Sequence, residues 1–256
     1  LETCAAIASL MWNWRLLLIT GDSKYADLFE LTLYNSVLSS PGLEGTSYLY
    51  VNPLQVRNGR YVRALVDTGV DEARRRPAWH KCACCPPNVM RLFSSLGHYL
   101  ATANEAGIQI HQFAAASLDL TVNGRSTQLA IATNYPWAGH IEVTVNTTPA
   151  EPWTLSLRQP GWCHHAQLTL NGTAIPAEVG ENGYLNLTRR WQPGDVLQLE
   201  LTMESTFLTP HPRIDALRGC VALQRGPLIY CFESHDQPAG VDLDDEIGRA
   251  SCRERV

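Results

Sequence analysis

The stretch NVMRLFSSLGHYLATANEAGIQIHQF, residues 88–113, contains the change of hydrophobic period that decides the fold. In its first half, apolar residues recur three or four positions apart, which is the spacing of one face of an α-helix. In its last residues, apolar and polar side chains alternate, as they do in a half-buried β-strand. The segment NEAG, 104–107, separates the two patterns. We therefore predict a multidomain α-then-β chain, helical over 1–103 and β over 104–245.

The alternation continues through most of the second part of the chain. The dipeptide NG at 123–124 and again at 171–172, and PGD at 193–195, supply turn signals between alternating segments. Short alternating segments at such spacing are typical of an antiparallel β-sandwich. The segments are IQIHQF, LDLTV, QLAIAT, IEVTVN, TLSLR, QLTLN, YLNLT and VLQLEL.

The first part of the chain has two helical patterns before residue 40. From Cys4 to Ile19, apolar residues dominate on both sides, which predicts a helix buried on more than one face, as inside a helical barrel or bundle. TGDS, 20–23, ends this pattern, and Ser23 can cap a second helix that runs to about Leu38. Residues 46–66 have the pattern of two short strands or extended segments.

Composition excludes some classes of function. The chain has 256 residues and a net charge of −5, with no basic run interleaved with aromatic residues, so we expect no nucleic-acid partner. No apolar run reaches the roughly 20 residues of a membrane span, so we expect no membrane partner. The sequence allows a homodimer.

The two ends of the sequence are unusual. The chain begins at Leu1 within a helical pattern and resembles a piece of a longer protein. EIGRASCRERV, 246–256, resembles translated sequencing adapter, so we expect it to be non-native and exclude it from the fold. Seven unevenly spaced cysteines remain. This pattern disfavours a disulfide scaffold and favours metal protection or a reducing compartment such as the cytoplasm.

A cysteine cluster is the main chemical feature of the sequence. HKCACCPPN, 80–88, places Cys82, Cys84 and Cys85 within four positions. Zinc takes four ligands from Cys, His and carboxylate groups, so a fourth must come from elsewhere, and either LETC at 1–4 or His80 can supply it. From the residues alone, structural zinc, a reactive thiolate and simple packing remain open.

The prolines after the cluster predict where these sulfurs lie. Pro86 and Pro87 suit the first turn of a helix, so Cys84 and Cys85 are expected at its positive end. That position favours thiolate over thiol, and a bound cation favours it further. The thiolate is both the metal ligand and the nucleophile of cysteine chemistry.

Five motifs together resemble glycoside hydrolase family 127, the β-L-arabinofuranosidases. They occur in the family's order and cover nearly all of residues 1 to 235. The resemblance implies a C-terminal fragment, with a partial (α/α)6 barrel over 1–103 followed by an antiparallel β-sandwich over 104–245. The motifs are ETC (2–4), YVNPL (50–54), CACCPPN (82–88), LRQPGW (157–162) and RGPLIYCFE (225–233).

The same resemblance implies a site. Zn²⁺ would be held by Glu2, Cys4, Cys84 and Cys85, whereas Cys82 would not be a ligand. Cys84 would also be the nucleophile of a retaining hydrolase that acts on arabinofuranoside carbohydrates through a thioglycosyl intermediate. Tyr50 would hydrogen-bond this sulfur or the sugar.

The general acid of the family lies upstream of ETC, so we expect the fragment alone to have little turnover. Glu30, Glu44 and Glu72 match no family motif, and we expect them to be surface charges. One alternative is a zinc-stabilised carbohydrate-binding or structural module without chemistry. Another is a thiol redox protein, which predicts a reducible disulfide in the cluster and no zinc.

Overall fold

A computed structural model of the chain describes residues 2–51, 76–80, 82–214 and 217–231. Its helices are α1 (Thr3–Thr20), α2 (Ser23–Thr32) and α3 (Cys85–Ser95). A π-helical turn, Leu33–Val37, extends α2, and a 3-10 turn, Leu96–Tyr99, extends α3. The three predicted helical patterns are therefore confirmed. Asp22, rather than Ser23, caps α2, because its carboxylate accepts a hydrogen bond from the N–H of Lys24.

The strands after residue 100 form three sheets. The strands are β1 (Ala101–Ala103), β2 (Gly107–Ile110), β3 (Ala116–Val122), β4 (Arg125–Thr133), β5 (His140–Thr147), β6 (Trp153–Arg158), β7 (Ala166–Leu170), β8 (Thr173–Ile175), β9 (Tyr184–Arg189), β10 (Val196–Leu201), β11 (Ser205–Leu208), β12 (Ala222–Arg225) and β13 (Leu228–Tyr230). One sheet has the order β1-β2-β6-β9, a second has β3-β4-β5-β10-β7-β8, and a small third sheet has β11-β12-β13.

The first two sheets bury a common hydrophobic core, as the layers of a sandwich do. Their inward side chains alternate with outward polar ones, and this alternation is why the period-two pattern of the sequence predicted these strands. One pair departs from the antiparallel prediction, since β2 and β6 are parallel. The chain crosses to the other sheet for β3, β4 and β5 between them, and it returns in the same direction.

The predicted NG turns are confirmed. Asn123 and Asn171 have φ of 50°, and the glycines that follow them have φ of 71° and 77°. Positive φ at both central residues is the geometry of a two-residue hairpin that matches strand twist. The first of these turns pairs Val122 directly with Arg125.

The helical part has a separate core. Residues of α1, α2 and its π-helical extension, and α3 pack together: Ala6, Ile7, Leu10, Phe29, Leu33, Val37, Val89 and Leu92. The prediction that α1 is buried on more than one face was wrong for its second half, where Trp12 is 68% and Ile19 is 79% exposed. The reason is that the described helices cover one side of α1. The (α/α)6 barrel therefore stays a prediction.

By length and composition alone, α1 could also span a membrane, a test that core helices of soluble proteins pass too.

The predicted extended segments at 46–66 are seen only as isolated bridges, from Tyr48 to Pro41 and from Val51 to Glu2. The remainder of that prediction, 52–66, lies outside the described residues, and so does the tail 246–256.

Candidate metal centre

The first turns of α1 and α3 bring together four side chains that are far apart in the sequence. The Sγ atom of Cys85 lies 3.8 Å from Sγ of Cys4 and 3.7 Å from Sγ of Cys84. A carboxylate oxygen of Glu2 lies 4.0 Å from Sγ of Cys84. The three sulfur atoms all lie within 4.8 Å of one another, a grouping that can hold a metal ion.

These distances fit zinc. A tetrahedral ion with Zn–S bonds of about 2.3 Å requires its sulfur ligands to be about 3.8 Å apart. The distances from Sγ of Cys85 to Sγ of Cys84 and Cys4, 3.7 and 3.8 Å, have this length and are far longer than the roughly 2.05 Å of a disulfide bond. Glu2 lies next to this group of sulfurs without being part of it, since its carboxylate oxygen is 4.0 Å from Sγ of Cys84.

Local hydrogen bonds hold the first turn of α1. Oγ1 of Thr3 donates to the carbonyl of Leu49 at 2.7 Å and lies 2.8 Å from Oγ of Ser40. The N–H of Thr3 donates to the carbonyl of Tyr50 at 2.9 Å. Thr3 is fully buried, and it lies between the two candidate ligands, Glu2 and Cys4. Its contacts therefore anchor the backbone that carries both.

The prolines define the first turn of α3, as predicted. Cys84 is the N-cap residue, Cys85 begins the helix, and the prolines that follow occupy its first turn. Val89 and Leu92 then pack on Ile7 of α1. The apolar contact between the two helices places their first turns, and hence the sulfurs, side by side.

The helix N-terminus does not by itself hold the sulfurs as thiolates. Burial, followed by the contact with Cys4, raises the pKa of Cys84 to about 11. Burial and the neighbouring thiols also raise the pKa of Cys85. A nearby positive charge has the opposite effect on a thiol, so a bound cation is what would stabilise the charged form.

Tyr50 lies beside the cluster. Burial, then the charges of Glu2 and Cys84, raises the pKa of its hydroxyl to about 12.

His80, the other ligand considered from the sequence, is not part of the sulfur cluster. Its buried ring stands 5.7 Å from the Tyr50 ring, and Nε2 lies 3.2 Å from the carbonyl of Tyr48. Cys82 is exposed and is also outside the cluster.

One expectation about the glutamates was wrong. Glu30 is not a surface charge, since only 1% of it is exposed and it forms an ion pair with Arg158. Glu44 is exposed, as expected, and it accepts a hydrogen bond from Ser47. Glu72 lies outside the described residues. The spacing of Asp27 and Glu30 on one face of a helix was the available signal that sequence reasoning missed.

Comparison with known families matches almost the whole chain in three consecutive pieces. Residues 1–98 match the β-L-arabinofuranosidase GH127 catalytic domain, and residues 107–203 match the GH127 middle domain. Residues 205–253 match the glycoside hydrolase family 127 C-terminal domain.

Individual proteins agree with these matches. A non-reducing end β-L-arabinofuranosidase of Bifidobacterium longum is 35% identical over 93% of this chain and 36% of its own length. A GH127 β-L-arabinofuranosidase from Geobacillus stearothermophilus T6 has a TM-score of 0.83 and 38% identity, over 91% of this chain and 36% of that one. A GH127 β-arabinofuranosidase structure has a TM-score of 0.80 and 33% identity, over 92% of this chain and 37% of its own.

The chain therefore spans little more than a third of the length of the relatives it matches. Three successive domain models of one family, in order along the sequence, account for both the helical part and the sheets. The chain belongs to glycoside hydrolase family 127.

Proposed function

We propose that the longer protein represented by this chain is a retaining glycoside hydrolase that releases L-arabinofuranose from β-L-arabinofuranosides. Cys84 is its nucleophile, and Glu2, Cys4, Cys84 and Cys85 are its zinc ligands. The observation that carries the proposal is the sulfur cluster, whose edges of 3.7 and 3.8 Å suit a tetrahedral ion. Membership of family 127 supports the reaction class.

The zinc ion, when bound, would hold its sulfur ligands deprotonated at neutral pH. Three thiolates and one carboxylate supply four negative charges against the two positive charges of the ion, so the site has a formal charge of 2 − 4 = −2. This excess leaves Cys84 electron-rich. The backbone of α3 holds its sulfur in place, because Cys84 is the N-cap residue of that helix.

The chemistry of Cys84 has two steps. Its thiolate attacks the anomeric carbon, a C–S bond forms, and the C–O bond to the leaving group breaks while an acid protonates the departing oxygen. Water then attacks the same carbon and gives a proton to the deprotonated form of that acid, the C–S bond breaks, and the thiolate is restored. Two inversions give net retention, with sulfur in the role that a carboxylate has in most retaining glycosidases.

Other residues of the site have supporting roles. The Tyr50 hydroxyl, beside Glu2 and Cys84, would donate a hydrogen bond to the sulfur or to the sugar. Neither described glutamate considered above can act as the acid, because Glu30 is paired with Arg158 and Glu44 is bound to Ser47 on the surface. We propose that the acid belongs to the longer protein.

Covalent trapping tests the nucleophile. The longer protein is incubated with a cysteine-reactive cyclitol of L-arabinofuranose configuration, and the labelled peptide is identified by mass spectrometry. We expect the label on Cys84 and loss of activity in Cys84→Ser. A label on Cys82 or Cys163, or an active Cys84→Ser protein, would contradict the proposal. An active Cys84→Ser protein of reduced stability would instead favour a structural zinc module.

The purified 256-residue chain provides a second test. Assayed on an aryl β-L-arabinofuranoside, it is expected to show little or no turnover, because its acid would be missing. Robust turnover would show that the acid lies within this chain.

A further inference from the structure

The LRQPGW motif, residues 157–162, takes no part in the cysteine cluster, but it binds two carboxylates of α2. The Arg158 guanidinium donates to Asp27 and, at 2.5 Å, to Oε1 of Glu30. The N–H of Gly161 donates to Asp27 at 3.0 Å, and the indole of Trp162 donates to Glu30 at 3.3 Å. The last residue of β6 and the turn after it therefore form a binding surface for α2.

The charges at this contact are deeply buried. Arg158 has no exposed surface and Glu30 has 1%. Further partners complete the network, since the Tyr135 hydroxyl donates to Glu30 at 2.5 Å and Nε of Arg158 donates to the carbonyl of His111 at 2.6 Å. Buried charges are stable only when they are paired and hydrogen-bonded, so α2 cannot bury Glu30 without the sandwich.

The same face of α2 makes two further contacts with the sandwich. The N–H of Ser23 donates to the carbonyl of Asn182 at 2.9 Å. The side chain of Gln112 donates to the carbonyl of Ala26 at 3.0 Å. Positions 23, 26, 27 and 30 have the spacing of one helical face, so the whole length of that face is bound.

The neighbouring face of α2 packs against the helices that carry the sulfurs. Phe29 joins Ile7 and Leu10 of α1 and Leu92 of α3 in the helical core. Cys4 lies in the first turn of α1, and Cys85 begins α3. The helix α2 thus stands between the LRQPGW motif and both halves of the cluster.

We propose that Arg158 is a positioning residue for the cysteine cluster. By holding Asp27 and Glu30 it fixes α2, and through the packing of α2 it fixes the first turns of α1 and α3. The expected effect of Arg158 on zinc binding rests on the proposed function. The expected effect of Arg158 on the distance between Cys4 and Cys85 does not require a metal.

Three variants of the chain test this role. Arg158→Met removes the charge and keeps the apolar stem. Arg158→Lys keeps the charge but cannot bind two carboxylates as a fork. Arg158→Met combined with Asp27→Asn and Glu30→Gln removes all three charges. The matched control is Arg189→Met on β9, an arginine that pairs with Asp195 at 3.8 Å within the sandwich.

Two readouts report the cluster. One is the zinc dissociation constant, measured by competition with a chromophoric chelator. The other is the rate at which diamide oxidises Cys4 and Cys85 of the metal-free protein to a disulfide, mapped by mass spectrometry. Hydrogen exchange of the core strands β5 and β10, followed by mass spectrometry, monitors the integrity of the sandwich.

We expect Arg158→Met to weaken zinc binding at least tenfold and to slow formation of the Cys4–Cys85 disulfide at least fivefold, with hydrogen exchange of β5 and β10 unchanged. The triple variant should recover most of both losses, because no buried carboxylate is left unpaired, and Arg189→Met should match the wild type. A folded Arg158→Met protein with wild-type values of both quantities would overturn the proposal.

Two further outcomes are decisive. If Arg158→Met does not fold, wild-type values in Arg158→Lys overturn the proposal, and intermediate values support it. If the wild-type chain does not bind zinc, the proposed function fails, but a slower Cys4–Cys85 disulfide in the Arg158 variants still supports the positioning role.

Discussion

The Sγ atoms of Cys4 and Cys85 lie 3.8 Å apart although 81 positions separate the two residues in the sequence. Each lies in the first turn of a different helix, and the apolar packing of α1 against α3 brings the two turns together. This relationship turns an isolated run of cysteines into a group with the dimensions of a zinc site.

Removal of one clustered sulfur should abolish tight zinc binding. We expect Cys85→Ser to lower the bound zinc from about one ion per chain to near zero, because a site of four ligands loses one of its thiolates. Metal content after dialysis, measured by atomic emission, tests this. Cys82→Ser is the matched control, since Cys82 is exposed and outside the cluster. Equal zinc loss in both variants would contradict the assignment.

Thr3 should support the cluster through its hydroxyl. Thr3→Val keeps the shape but removes the donor to Leu49. Because the carbonyl of Leu49 still accepts from Ser40, we expect a loss of about 0.5–1.5 kcal/mol of unfolding free energy, the net contribution of a typical hydrogen bond. We also expect zinc binding to weaken roughly tenfold, as happens when groups that orient metal ligands are removed. Chelator competition and urea unfolding measure the two effects. Thr3→Ser retains the hydroxyl and should bind zinc nearly as the wild type does, whereas wild-type zinc binding in Thr3→Val would contradict the role of the hydroxyl.

Acid should destabilise the fold through His111. Its ring lies between Thr102 and Tyr184, and burial, followed by the charge of Arg158, lowers the pKa of His111 to about 3. In the unfolded chain the pKa is about 6.5. The unfolded state therefore binds more protons between these values. The contribution of neutral His111 to the free energy of unfolding is fully present above about pH 6.5. It falls as the pH decreases towards 3, by up to about 1.4 kcal/mol per pH unit.

Urea unfolding at pH 7 and pH 5 measures this effect. His111→Gln should flatten the decrease in unfolding free energy over that interval, whereas His98→Gln, at an exposed position, should leave it unchanged. If the unfolding free energy of His111→Gln decreases between pH 7 and pH 5 as much as that of the wild type, His111 is not the cause of the decrease.

Gly183 should be required for the close approach of α2 to the sandwich. A Cβ atom there would lie 1.9 Å from Oγ and 2.7 Å from Cβ of Ser23, and φ is +79°. Gly172 is a matched control, because its φ is +77° and nothing lies within 4 Å of the same Cβ position. Left-handed strain costs an alanine about 1–2 kcal/mol at either position. Thermal unfolding should show Gly183→Ala to be clearly less stable than Gly172→Ala, and equal stabilities would mean that Ser23 can move away freely.

Much of the fold could be predicted from local pattern. The NG hairpins and the proline start of α3 correspond to features of the structure, and the predicted change to β structure at residue 104 comes three residues after β1 begins at Ala101. The parallel pairing of β2 with β6 could not be predicted in this way, because it depends on how the chain returns after a crossover. The exposure of Trp12 on α1 depends likewise on which helices lie beside it.

The candidate site was also predicted in part from local sequence, and the rest of it depends on the tertiary structure. The residues of HKCACCPPN pointed to a metal or thiolate site, with the LETC segment as the first candidate for the remaining ligand and His80 as the second. Only the packing of α1 on α3 distinguishes them, since it brings Cys4 to the cluster and leaves His80 outside it. The ion pair of Glu30 with Arg158 was missed because its partners lie 128 positions apart.

The sequence by itself determined the three helices, eight of the thirteen described strands, the NG turns, the run of cysteines and the family. These depend on side-chain period, backbone stereochemistry and motifs, all of which are contained in short stretches of the chain. Only the tertiary structure decided which carboxylates are buried, which sulfurs meet and how α2 lies between the sandwich and the helices that carry the cysteine cluster. Those relationships arise when whole faces of helices and sheets leave water together, and no local stretch carries that information.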